Sequence, residues 1–143
     1  MTLHLPRELV DAMFAHVRAE LPNEGCGIIA GKDGVAQKLY ATRNAEASPF
    51  RYNIEPLDLL RASTEMDEMG WDVLAIFHSH VASEAYPSPT DVRLAQWPGS
   101  NPPADLWPGA YYVLVSLANA AAPVVRAYRI HAGAVTEVQL EIA

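Results

Sequence analysis

Two short stretches hold most of the side chains that could grip a metal or move a proton. The first is Phe77-His78-Ser79-His80-Val81-Ala82-Ser83-Glu84-Ala85-Tyr86-Pro87-Ser88-Pro89-Thr90-Asp91. It follows Val73-Leu74-Ala75-Ile76-Phe77, an apolar run that predicts a strand buried on both faces. Side chains alternate along a strand, so His78 and His80 leave from one face while Ser79 points away. Further on, Ser88-Pro89-Thr90-Asp91 reads as a helix start, with Ser88 as N-cap, Pro89 at the first helical position and Asp91 in the first turn. A short loop can fold Asp91 back over both imidazoles. Two imidazoles and a carboxylate, with a fourth position left to water, make the ligand set of a catalytic zinc rather than a structural one. The plainer reading is a capping box, which stabilises a helix by about 1 kcal/mol and needs no metal.

The second stretch is Leu21-Pro22-Asn23-Glu24-Gly25-Cys26-Gly27. Water activated by zinc needs a base that takes its proton and returns it to the leaving amine, and a carboxylate near the metal but not bound to it suits both steps. Glu24 stands where a helix ends and a buried strand begins, beside glycines that let backbones approach closely. On the residues alone, an exposed loop acid is the alternative.

Glu24 upstream, then His78-Ser79-His80, seven residues, Ser88, two residues and Asp91 resembles the JAMM (MPN+) metalloprotease motif position for position. The Pro-x-Glu-x-Cys-Gly context of Glu24 and the block from His78 to Ala95 are similar to one bacterial branch, the peptidases that free cysteine from a thiocarboxylate sulfur-carrier protein. Val81 stands where many members of the wider family carry proline, which bears on subfamily rather than on metal binding. The resemblance implies one Zn2+ per chain on His78, His80 and Asp91, Glu24 as the proton carrier, and Ser88 as a hydroxyl donor to the developing oxyanion. It implies a partner too: a ubiquitin-like sulfur-carrier protein whose extended Gly-Gly tail pairs with an edge in residues 42–53. Phe50 and Tyr52 are candidate tail contacts there, with core packing the alternative for each.

Composition sets the frame. A chain of 143 residues, half of them hydrophobic and 19% charged, fits one folded domain over residues 1–143 and argues against disorder. The single cysteine, Cys26, excludes a disulfide framework and a four-thiolate zinc site, and reads as a buried strand residue. A net charge of −7 disfavours nucleic acid as a partner. No signal peptide is visible, and the longest apolar tract, Ala110 to Val125, is broken by Ser116, Asn119 and Pro123. The expectation is a cytoplasmic protein with no membrane span; homodimer formation stays open.

The elements that must position these residues follow from local patterns. Thr2 to Leu5 predicts a short strand, and Pro6 opens a helix with Leu9, Met13, Val17 and Leu21 at four-residue spacing, His16 lying on its solvated side. Strands from Gly25 to Gly31 and Val35 to Ala41 flank the turn Lys32-Asp33-Gly34. Pro56 starts a second helix, Leu57 to Met69, with Leu59, Met66 and Met69 on one side, its acids on a solvated face, and Gly70 as the stop. The strand from Trp71 to Phe77 delivers the histidines. Residues 96–109, rich in Pro and Gly, predict a long unstructured insertion near the zinc cleft, with Trp97 and Trp107 as anchors for the carrier or as its own packing; His131 is expected to be simply exposed. Three further strands, Tyr111 to Leu117, Val124 to Ile130 and Ala134 to Ile142, complete a mixed, largely antiparallel sheet flanked by helices. That is an α/β sandwich such as the MPN/JAMM fold, which is cytidine deaminase-like.

The leading expectation is therefore a zinc metallopeptidase that cuts after a carrier's Gly-Gly and releases cysteine, a step in cysteine biosynthesis. Removal of a ubiquitin-like modifier from lysine would use the same residues. A non-catalytic MPN binding scaffold is the rival from another class. A zinc deaminase is excluded because its Pro-Cys-x-x-Cys ligands need two cysteines, and a His-Glu-x-x-His metalloprotease motif is absent.

Overall fold

The computed structural model describes all 143 residues. In chain order the elements are β1 (Thr2–Leu5), α1 (Arg7–Ala19), β2 (Cys26–Lys32), β3 (Val35–Thr42), α2 (Pro56–Met69), β4 (Asp72–His80), α3 (Pro89–Leu94), β5 (Tyr111–Ser116), β6 (Val124–His131) and β7 (Ala134–Ile142). The strands form one seven-stranded sheet in the order β1-β7-β6-β5-β4-β2-β3. β1 with β7 and β4 with β5 are parallel, and the remaining neighbours are antiparallel.

Strand alternation divides the interior into two layers. Ala75 and Phe77 of β4 join Val10, Met13 and Val17 of α1 on one face, while Ile76 joins Ala62 and Met66 of α2 on the other. Each large side chain buried in this way contributes roughly 1.5–3 kcal/mol. Helices thus cover both faces, and the parity that puts Ile76 under α2 also puts His78 and His80 there.

Close strand packing depends on Gly27, where an added Cβ would lie 2.2 Å from the Tyr40 carbonyl oxygen and 2.4 Å from the Phe77 ring. The β2–β3 turn places Asp33 and Gly34 at φ 51° and 78°, the pair of left-handed residues that a tight two-residue hairpin requires.

Several expectations change. α1 stops at Ala19, and Leu21, 38% exposed, lies outside the core. On α2, Ala62 rather than Met69 faces the core. His16 is not solvated, because its Nε2 lies 3.0 Å from the carbonyl oxygens of both Cys26 and Thr42 and ties α1 to the β2–β3 hairpin. Two α2 acids are similarly engaged, Asp58 with Arg43 and Glu65 with Lys38 and Tyr40. β4 runs on through His80 because His78-Ser79-His80 pairs in register with Leu114-Val115-Ser116 of β5.

Residues 96–109 are more ordered than their composition predicts. The N–H of Trp97 donates to the Ala104 carbonyl and that of Leu106 to the Ala95 carbonyl, both at 2.9 Å. The Asp105 carboxylate accepts from the Ala132 N–H at 2.8 Å and from His131 Nδ1 at 2.6 Å, so His131 anchors this loop to the β6–β7 turn. No helix is long and apolar enough to cross a membrane.

Candidate active site

His78, His80 and Asp91 meet at the C-terminal end of β4, all of them at most 5% exposed. One ligand atom from each lies within 4.8 Å of the others. Asp91 is held there by a pinned connection: the Ser116 hydroxyl donates to the Ser83 carbonyl at 2.6 Å, and the Tyr128 hydroxyl donates to the Ala85 carbonyl. At the start of α3 the full capping box is present, with Asp91 N–H donating to Ser88 Oγ at 3.0 Å and Ser88 N–H donating to Asp91 Oδ2 at 2.9 Å. The cap does not draw Asp91 away from the histidines, since the same Oδ2 faces both imidazoles.

Tautomers decide what the cluster lacks. His80 Nδ1 is 2.7 Å from the Glu84 carbonyl, to which it donates, so in a neutral ring Nε2 carries the lone pair. That lone pair lies 2.9 Å from Asp91 Oδ2. Two acceptors at this distance require a cation between them, either a proton or a metal ion. His78 Nε2 lies 3.1 Å from the same oxygen but off the line of a hydrogen bond, and both His78 ring nitrogens are buried without a partner. The donor set of two imidazoles and one carboxylate fits a zinc that keeps an open position, and the Glu84 carbonyl is the outer partner that such a histidine needs.

Electrostatics point the same way. Burial lowers the pKa of His78. Burial also acts on His80 in that direction, but hydrogen bonds with Asp91 and Glu84 overcome it and raise the value. Asp91 is held well below the usual carboxylate range, because the two imidazoles beside it and the Ser88 N–H outweigh its burial.

Glu24 arrives from the neighbouring strand. Cys26 pairs with His78 across β2 and β4, Gly25 N–H donates to Ser79 Oγ at 2.8 Å, and Ser79 N–H donates to the Gly25 carbonyl at 2.9 Å. Continuing that register one step sets Glu24 opposite His80 on the same face, where cross-strand side chains are direct neighbours. Its backbone is fixed on the other side by Glu24 N–H to the Ser48 carbonyl at 2.9 Å and by Asn44 Nδ2 to the Glu24 carbonyl at 3.0 Å. The side chain is 3% exposed, and Oε1 is buried with no partner. Burial pushes its pKa up to about 8, with His80 opposing and Asp91 reinforcing the shift. Glu24 is thus not the exposed loop acid of the plainer reading.

The remaining sequence candidates divide. Tyr52 stacks on His78 with ring centroids 4.3 Å apart and planes 22° from parallel, while Phe50 is 84% exposed. Trp107 packs against the α2-side core, and Trp97 stands in solvent. Ser88 Oγ accepts from Asp91 N–H, which leaves its own proton to donate. Beside Tyr52 and Thr90 opens a cleft of about 640 Å³, walled by segments 46–54 and 90–107. A second cavity of about 490 Å³ lies at the opposite end of β4, around Asp72 and Arg129, and contains none of the metal-site residues. Asn44, Arg93 and Gln96 were not singled out from the sequence. Asn44 and Gln96 sit in segments without periodicity and Arg93 in the short α3, and only the fold shows that Asn44 holds the Glu24 carbonyl and that Arg93 and Gln96 wall the cleft.

The sequence matches the family model for prokaryotic homologs of the JAB domain over residues 6–131. It is 40% identical to the CysO-cysteine peptidase of Mycobacterium tuberculosis over 132 residues, which cover 91% of this chain and 84% of that protein. It is 38% identical over 98 residues to a probable TtuB-protein conjugate cleaving protease of Thermus thermophilus, covering 68% of this chain and 66% of that one. Among solved structures, protein DSY2949 from Desulfitobacterium hafniense superposes with a TM-score of 0.82 at 33% identity, covering 100% of this chain and 93% of the other.

Proposed function

The chain belongs to the prokaryotic JAB family of JAMM-type peptidases, and on that premise we propose that it is a zinc-dependent hydrolase of carrier-protein adducts. The bond cut is the amide after the C-terminal Gly-Gly of a ubiquitin-like sulfur-carrier protein, and the product is free cysteine with regenerated carrier. The Mycobacterium tuberculosis relative named a CysO-cysteine peptidase supports this choice of adduct, and the Thermus relative supports a ubiquitin-like partner.

The observation that carries the reading is the orphaned Glu24 Oε1, buried on the sheet face that also bears His78, His80 and Asp91. A zinc held by those three residues supplies Lewis-acid activation of water and carbonyl. Glu24 takes the proton from the attacking water and hands it to the departing amine, which a carboxylate that is neither exposed nor hydrogen-bonded is free to do. Ser88 donates its hydroxyl proton to the developing oxyanion, a contribution of about 3 kcal/mol in comparable sites. The cleft beside Tyr52 receives the carrier's extended tail, with segment 46–54 on one side and the 96–109 loop on the other, and the exposed Trp97 of that loop is a further contact for the carrier. Residues 1–143 act in this reading as a single peptidase domain.

Incubation with carriers that bear either a C-terminal cysteine or a lysine-linked peptide, followed by mass spectrometry of the released amine, tests it. Free cysteine is the expected product. Release only from the lysine-linked carrier would assign the chain to modifier removal, and release from neither would leave a binding scaffold.

A further inference from the structure

The cleft beside the candidate site carries features that a tail of plain glycines would not use. Its floor is apolar, built from Ile54, Leu59, Ile76 and Leu106, while its rim holds two guanidinium groups, Arg51 and Arg93. In a chain of net charge −7 with only ten lysines and arginines, two arginines against the single carboxylate of the lining, Glu46, leave this cleft with an excess of one positive charge. Arg93 makes no ion pair, and its one side-chain partner is the Thr90 hydroxyl at 3.3 Å. Arg51 is only loosely matched, with Nε 3.8 Å from Glu46. A guanidinium with open donors is suited to a carboxylate.

A second feature points to a peptide. Gln96 lines the same cleft, and its Oε1 is buried without any partner. Such an orphan acceptor calls for an N–H donor from a ligand. The Ala95–Leu106 and Trp97–Ala104 hydrogen bonds hold the Gln96 backbone at the base of its loop. The cleft adjoins the cluster of His78, His80 and Asp91, because two residues of its wall are Tyr52, which stacks on His78, and Thr90, the neighbour of Asp91.

We propose that this cleft selects carrier tails that bear a carboxylate side chain upstream of the Gly-Gly, read by Arg93 and Arg51, while Gln96 Oε1 accepts a backbone N–H from the tail. An apolar tail side chain next to the acid fills the floor. The proposal rests on the carrier-adduct reading above and names the substrate feature that reading leaves open.

The test uses the zinc-loaded full chain and synthetic tails ending at Gly-Gly, in which each upstream position carries Glu, Ala or Lys in turn. Binding is measured by fluorescence anisotropy, and amine release is measured separately on the same tails extended by cysteine. At one or more positions the Glu tail binds about tenfold tighter than the Lys tail, the size of one charge-assisted hydrogen bond. Arg93→Glu, an exposed substitution, inverts that order. Equal binding of Glu and Lys tails at every position overturns the proposal, as does a preference that survives both Arg93→Glu and Arg51→Glu. Cysteine release without a charge preference rejects this inference alone, whereas a charge preference without release rejects the hydrolase reading and leaves the cleft assignment standing.

Discussion

At the scale of single residues, Glu24 Oε1 and both ring nitrogens of His78 are buried polar atoms with no hydrogen-bond partner within the chain. Glu24 shows the consequence best, because burial holds its carboxyl protonated up to about pH 8 when no dication opposes the shift. In metal-stripped protein the folded state then binds a proton that the unfolded chain gives up near pH 4.5. A native state that holds more protons than the unfolded one loses stability as pH rises. Urea midpoints of the chelated protein should fall between pH 5 and pH 8, and Glu24→Gln should flatten that slope; identical slopes in the two proteins would show that the side chain is more solvated than described. Tyr52 acts through its ring, which packs on His78. Tyr52→Ala should weaken zinc binding about tenfold, toward the low end of outer-shell effects, and Tyr52→Phe should restore it; equal zinc affinities for all three proteins would deny the stacking any role.

At the scale of elements, β2, β4 and the start of α3 do the positioning. Their local signals were readable in advance: the apolar run before His78 gave a buried strand, and Ser88-Pro89-Thr90-Asp91 gave a capped helix start. The β2–β4 register was not readable, since nothing near Glu24 in the chain states that Gly25 will bond Ser79; the family resemblance supplied that link instead. The 96–109 loop resisted for a different reason, because its order comes from the distant β6–β7 turn through His131 and Ala132. His16 was misplaced because a helical position says only which side of α1 it occupies, and not that two carbonyls of the hairpin wait there. Packing at these elements is tight enough to measure. Gly27→Ala should lower the unfolding free energy by about 3 kcal/mol, in the upper range for overpacking, since its methyl meets the Tyr40 carbonyl and the Phe77 ring; a loss under about 1 kcal/mol would mean that the strands give way easily. Ser88→Ala should lose about 1 kcal/mol through the cap. It should also slow hydrolysis beyond what that loss explains, and unchanged kcat would confine Ser88 to capping.

At the scale of the whole molecule, the sandwich brings the Glu24 carboxylate, just before β2, and His78, His80 and Asp91, from β4 and α3, to one end of the sheet, between two layers of apolar core. The two-layer plan was legible as alternating strands and amphipathic helices, and its match to the solved relative extends over the full chain. The proposed hydrolysis rests on the assembled site: a zinc on His78, His80 and Asp91, with Glu24 moving the proton. The most direct measurement pairs zinc content with turnover of a carrier–cysteine adduct in wild-type protein and Glu24→Gln. About one zinc per chain is expected in both proteins, with turnover lower by at least about a hundredfold in Glu24→Gln. Full turnover in Glu24→Gln with zinc bound, or wild-type turnover unaffected by complete zinc removal, would contradict that mechanism.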